Sequence, residues 1–142
     1  MKKNEKMLNS VLSALHSEQI LLRRLSDIAV RIDMKNVLQS YLWELDTIEY
    51  QAYSIVSAHG WDPHGAAPPI VWLSAIVSRI RARLGGNDST IAEMILRSCT
   101  NGMIAVQKAQ RIPADSAGDI KSICQKYMDC QQAAIGQMKH FL

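Results

Sequence analysis

At 142 residues, 48% of them apolar, the chain fits a single domain, residues 1–142, with enough apolar side chain for its own core. Its formal charge of +3 is mild. Lys2, Lys3, Lys6 and the alternating Arg79, Arg81 and Arg83 do not build the concentrated basic face that nucleic-acid binding needs. No stretch approaches the ~20 consecutive apolar residues of a membrane span, which excludes a helical membrane anchor of that kind.

Aromatic residues are few, with one Phe, three Trp and four Tyr. Ala, Ile, Leu and Met must therefore fill the interior, a composition that suits helices better than a β-sandwich. The prolines stand at 63, 68, 69 and 113, where helices should start or stop. Cys99, Cys124 and Cys130 show no C-x-x-C spacing and read as small buried apolar residues of a reducing compartment. Met1-Lys2-Lys3 is followed by polar Asn4-Glu5-Lys6, which is not a signal peptide, and a cytoplasmic location is the expectation.

The first predicted helix runs from about Asn4 to Ile32. Its positions 8, 11, 15, 18, 22, 25, 29 and 32 keep a 3-4 spacing and read Leu, Val, Leu, Glu, Leu, Leu, Ala, Ile. Glu18 interrupts this apolar seam near mid-helix. Asp33-Met34-Lys35 allows only a tight turn, so the second helix, Met34 to His59, returns antiparallel. Its seam reads Met34, Leu38, Tyr41, Leu45, Ile48, Ala52, Ile55, His59. Gly60 is expected to cap it in the left-handed conformation, with Trp61 folded back on the last turn.

The connection from Trp61 to Asn87 is too long for a hairpin loop. After a turn-rich segment, Ile70, Leu73, Val77, Ile80 and Leu84 repeat at helical spacing, and Gly85-Gly86 closes that short helix. Such a segment spans on the order of 20 Å. With its flanking loops it can carry the chain from one end of the bundle to the other, which would make the second and third long helices parallel. A plain up-down-up-down bundle, with this segment as an appendage, is the rival. The third helix starts after Asn87-Asp88-Ser89, with Thr90 to Glu93 at capping-box spacing. Its predicted seam is 91, 95, 98, 102, 105, 109 and 112. Gly102 inside that helix costs about 1 kcal/mol against alanine, and Ser98, Gly102, Ala105 and Ala109 on one face would let a partner approach closely. The fourth helix, from about Asp115 to the C-terminus, carries Ile120, Cys124, Tyr127, Gln131, Ala134, Met138 and Phe141 on its seam.

Three segments carry a family likeness: Glu49-Tyr50-Gln51 with His59-Gly60-Trp61, the crossover segment from Val71 to Leu84, and Ile91-Ala92-Glu93-Met94-Ile95 with Asn101-Gly102-Met103. In these the chain resembles the ferritin-like superfamily. Within it, the chain resembles the small ferritin-like bundle proteins of spore-forming bacteria, which are related to ferritin-like spore-coat proteins. The resemblance covers nearly the whole chain. It implies an all-α, ferritin-like antiparallel four-helix bundle, with a long crossover that contains an extra short helix.

Di-iron members of that superfamily place one Glu on each of two helices and a Glu-x-x-His on each of the other two. Glu18 suits the first helix. On the second, Glu49 has Ala52 where His is required, and Glu44 is followed by Thr47. Glu93 stands about 10 Å too high on the third helix. On the fourth, Asp129 and Gln131 are followed three residues later by Gln132 and Ala134. Of the histidines, His59, His64 and His140 lie at or beyond helix ends, and His16 points to a different face from Glu18. Two of the six ligands survive, Glu18 and Glu49, a degenerate set suited at most to one weakly bound divalent metal. The reading favoured instead is a polar layer of Glu18 and Gln131 with Tyr50 or Asn101 nearby.

The exposed loop Trp61-Asp62-Pro63-His64 is the candidate interaction site, with Trp61, Asp62 and His64 as its contact residues. The functional expectation is a non-catalytic bundle with no cofactor, acting as a homo-oligomer or by binding a protein partner. Its setting in sporulation or stress is what the resemblance implies. The alternative is a metal-binding, di-iron-type oxidoreductase or iron-storage protein.

Overall fold

Four stretches whose apolar residues recur every three or four positions form the long helices of the computed structural model, which describes residues 2–61, 78, 88–111 and 118–142. They are α1 (Lys2–Ile28), α2 (Ile32–His59), α3 (Asp88–Gln110) and α4 (Gly118–Met138), followed by a 3-10 turn, Lys139–Phe141. Each lays one face on a shared core, with Leu8, Leu15, Leu22, Leu25, Leu38 and Leu45 among its fully enclosed side chains. In cross-section α1 packs on α2 and α3, and α4 packs on the same two helices from the opposite corner. Apart from Ser78, which is helical, the predicted extra helix between 70 and 84 lies outside the described residues, as does the predicted start of the fourth helix at Asp115.

Contacts at the two ends fix the direction of every helix. The Asp88 carboxylate at the start of α3 accepts the backbone N–H groups of Val30 and Arg31, in the turn between α1 and α2, at 3.1 and 3.0 Å. The Arg31 guanidinium also lies over the Phe141 ring, 5.5 Å from its centroid, so α4 ends at the same place. At the far end, His59 closes α2 and meets Asp119 at the start of α4, Nε2 to Oδ2 at 3.3 Å. Hence α2 and α3 run parallel, and each is antiparallel to α1 and α4. The end of α2 and the start of α3 therefore lie at opposite ends of the bundle, which is the crossover course of the two that the sequence allows. With 28 residues in α2, that is a span of about 40 Å.

The α1–α2 turn comes earlier than the sequence suggests. Ile32, predicted on the first seam, opens α2 and is 77% exposed. The cause is tertiary. Asp88 is itself buried, and it captures two backbone donors at residues 30 and 31 that would otherwise be unsatisfied. At the other end of α2, Gly60 adopts φ 69°, and its N–H bonds Ser57 O while Trp61 N–H bonds Val56 O. This is the left-handed cap expected of glycine there. Trp61 stacks on His59 with centroids 4.2 Å apart.

The α3 face is turned from its predicted one. The buried positions are Ile91, Ala92, Ile95, Cys99, Gly102 and Val106, while Ser98 and Ala109 are half-buried and Ala105 is exposed. A 3-4 pattern leaving Ile95 can continue through 98 or 99. The larger Cys99 and Val106 win the interior because they bury more apolar surface. A close approach of the kind anticipated for the small residues occurs at Gly102.

Candidate functional site

Glu18 enters the core from α1, where it is only 3% exposed. Counting along the helices, Glu18 stands ten residues before the end of α1, Tyr41 nine after the start of α2, Cys99 eleven after the start of α3, and Gln131 seven before the end of α4. The directions of the helices bring all four to one level, roughly 15 Å from the α1–α2 turn. Tyr127 joins them from one turn earlier on α4, the i, i+4 neighbour of Gln131.

Short contacts knit this layer together. The Tyr127 hydroxyl donates to Glu18 Oε1 at 2.5 Å, and Gln131 Nε2 donates to Glu18 Oε2 at 2.7 Å. The Tyr41 hydroxyl lies 2.8 Å from Glu18 Oε2, 2.6 Å from Gln131 Oε1 and 3.3 Å from Cys99 Sγ. From α3, Gly102 presents bare backbone. A Cβ built there would run into the Tyr127 hydroxyl and sit 2.6 Å from Glu18 Oε1. Glycine is therefore required here by space, at the point where two helices' polar side chains press on a third.

Electrostatics push the layer toward neutral forms. Burial raises the Glu18 carboxyl to about 7, against partial opposition from its hydrogen bonds to Tyr127, Tyr41 and Gln131. Burial first, and the nearby Glu18 carboxylate second, hold the Tyr41 and Tyr127 phenols far above their ordinary range. Both remain proton donors. Burial takes the Cys99 thiol up to about 12, so it stays a weakly interacting S–H rather than a nucleophilic thiolate.

The two residues predicted as metal ligands have different partners. Glu18 faces inward to the tyrosines, whereas Glu49 pairs with His16, Oε2 to Nε2 at 3.0 Å, in a half-exposed seam between α1 and α2. Tyr53 adds its hydroxyl 3.2 Å from the same His16 nitrogen. Among the described residues, no three of His, Cys, Asp and Glu converge at ligand spacing.

The predicted polar layer exists around Glu18 and Gln131, but its other members differ from those expected. Tyr50 is 76% exposed and Asn101 is also on the surface. Tyr41 and Tyr127 take their places. The signal for both was present, since each lies on its helix seam, and counting from the turns sets them beside Glu18. In the candidate interaction loop, Trp61 is half-buried against the core, and Asp62 and His64 lie outside the described residues.

Among the described residues the fold is an all-α bundle of four long helices around a polar layer, and no helix there is long and apolar enough to cross a membrane. Compared with protein-family models, with curated proteins and with solved structures, the chain has no match.

Proposed function

We propose that this chain is a ferritin-like bundle without catalytic activity, acting through its surface by self-association or by binding a protein partner. The observation that carries the proposal is the use made of Glu18. Both of its oxygens are taken up by donors of the chain itself, and its neighbours are two phenols and a carboxamide. A bundle that works on metals instead needs several carboxylates and imidazoles free to converge at this level. The parallel α2 and α3, joined by one long connection, support the ferritin-like assignment.

The surface supplies a place to act. Trp43 and Tyr50 stand seven residues apart on the outer face of α2, 69% and 76% exposed. Large aromatic side chains left in solvent are the residues that most often anchor protein interfaces. The setting proposed with this role is the cytoplasm, with sporulation or stress as the process.

Two measurements on one preparation test the proposal. Protein purified from iron-supplemented medium should carry no stoichiometric iron by elemental analysis. Sedimentation should show concentration-dependent assembly, or else a partner should co-purify with the chain. A pair of tightly held iron ions per chain would reverse the assignment in favour of a di-iron oxidoreductase or iron-storage protein.

A further inference from the structure

We infer that Glu18 is held as the neutral acid in the folded bundle, so that folding takes up a proton at this position and loss of that proton loosens the layer in which all four helices meet. The inference concerns the bundle's own response to pH and does not depend on what its surface binds.

It rests first on a count of protons. Four short contacts join Glu18, Tyr41, Tyr127 and Gln131: Tyr127 Oη to Glu18 Oε1, Tyr41 Oη to Glu18 Oε2, Tyr41 Oη to Gln131 Oε1, and Gln131 Nε2 to Glu18 Oε2. Each needs one proton between its atoms. With Glu18 ionised, the protons to hand are one from each phenol and one from the carboxamide in reach. One contact is then left as two oxygen atoms facing each other at 2.8 Å or less without a proton. With Glu18 protonated on Oε2, every contact is filled. Glu18 donates to Tyr41 Oη, Tyr41 donates to Gln131 Oε1, Gln131 Nε2 donates back to Glu18 Oε2, and Tyr127 donates to Oε1. Turning the Gln131 amide over exchanges its donor and acceptor but leaves the same shortfall of one.

The surroundings agree. The groups facing Glu18 are Tyr41 from α2, Cys99 from α3, and Tyr127, Cys130 and Gln131 from α4, while Gly102 offers only backbone. None of these carries positive charge, and among the described residues no Lys, Arg or His acts on its carboxyl. Cys99 can add its S–H toward Tyr41 Oη but cannot repair the shortfall between Tyr41 and its two acceptors. An ionised carboxylate here would be enclosed without a counter-ion, which is the costly state of a buried acid.

The sign follows from linkage. Glu18 moves from 4.5 in the unfolded chain to about 7 in the bundle. The stabilising effect of the proton is complete below about 4.5, falls as pH rises, and is gone above about 7. Across that window the unfolding equilibrium constant should rise about tenfold per pH unit, roughly 300-fold in all, over and above changes from other groups.

Urea unfolding of the wild type and of Glu18→Gln from pH 4.5 to 8.5 isolates this term. The variant's carboxamide keeps a donor at the Oε2 position, and its layer closes with the Gln131 amide turned over. The ratio of the two unfolding constants should climb by about two orders of magnitude with rising pH and then level off. In parallel, the infrared spectrum of the wild type at pH 6 should contain the C=O stretch of a protonated carboxyl group. That band should disappear in Glu18→Gln. If that variant does not fold, Tyr127→Phe serves instead, because loss of the donor to Oε1 should move the band to higher frequency. A flat ratio, or a folded wild type at pH 6 with no protonated carboxyl band, would overturn the inference. So would wild-type stability that rises through this window and is lost on chelation, which would mean a cation rather than a proton at Glu18.

Discussion

Replacing Gly102 with alanine sets two opposing effects against each other, and the structure decides between them. In an exposed helix interior the change stabilises by about 1 kcal/mol, because alanine has less backbone freedom to lose. At Gly102 the new methyl group would collide with the Tyr127 hydroxyl and stand 2.6 Å from Glu18 Oε1. The Tyr127 ring is fully buried and its hydroxyl is tied to Glu18, so the strain falls on the Tyr127–Glu18 hydrogen bond. Overpacking of this kind costs roughly 1–3 kcal/mol, and a buried hydrogen bond broken on one side about 1–3 kcal/mol more. Set against the helix gain, the net loss should be about 3 kcal/mol, or on the order of 10 °C in Tm for a chain of this size. Gly136 on α4 is the control, since a Cβ there meets nothing within 4 Å. Gly136→Ala should therefore raise stability by about 1 kcal/mol. Thermal and urea unfolding of both variants, with Tyr127→Phe added to Gly102→Ala, make the test complete. Removing the hydroxyl should recover part of the loss, which gives a favourable coupling in the double-mutant cycle. A Gly102→Ala variant as stable as Gly136→Ala would refute the crowding of α3 against Tyr127 and Glu18.

Asp88→Ala should cost about 2 kcal/mol, because its carboxylate accepts two backbone N–H groups of the α1–α2 turn and is shielded from water. Hydrogen exchange at Val30 and Arg31 should accelerate in that variant, and unchanged protection there would refute the assigned role. Trp43→Ser together with Tyr50→Ser should leave the unfolding midpoint within about 0.5 kcal/mol of wild type, since both side chains are exposed. The same pair should weaken self-association or partner binding at least tenfold by sedimentation or titration, and unchanged assembly would remove α2 as the contact face. In free-energy terms, the loss of the Glu18 proton across the window from 4.5 to about 7 amounts to about 3 kcal/mol.

Much of the bundle could be read from its residues, because an apolar seam is a local property of the chain. The α1 positions from Leu8 to Ala29 and the α4 positions from Ile120 to Met138 are buried as their spacing predicts. The length of the connection allowed a parallel course of α2 and α3 but also an up-down-up-down bundle with the segment as an appendage, and only the end contacts of Asp88 and His59 decide between them. The failures have a common cause in contacts between residues far apart in sequence. The α1–α2 turn sits where Asp88 holds it, some 57 residues away, and no local pattern carries that information. The face of α3 depends on which of two equally periodic continuations meets the other helices. At the site, Glu18 and Gln131 announced themselves as polar breaks in apolar stripes. Tyr41 and Tyr127 did not, because a seam tyrosine looks apolar until something polar is placed opposite its hydroxyl. Glu49 was legible as a carboxylate one position off the α2 seam, but its pairing with His16 is set by the helix packing.

The polar layer also bears on why these helices settle in one register. The α1 seam carries Leu8, Leu15 and Leu22 at intervals of seven, and on α2 Leu38 and Leu45 have the same spacing. A slip of two turns would place leucine where leucine had been and lose little packing. Glu18, Tyr41, Tyr127 and Gln131 answer one another in a single alignment only, and a slip would bury the carboxyl against apolar side chains at a cost of several kcal/mol. Replacing the layer with Glu18→Leu, Tyr41→Phe, Tyr127→Phe and Gln131→Leu should therefore separate stability from uniqueness. Exchange of a buried polar group for well-packed apolar side chains is often neutral, or stabilising by about 1–4 kcal/mol, so the unfolding midpoint should hold or rise. The urea m value should fall and the amide NMR signals broaden or multiply, as the chain samples registers that the wild type forbids. A quadruple variant with a single sharp set of resonances and an unchanged m value would show that apolar packing alone sets the register, and that the layer is kept for its proton.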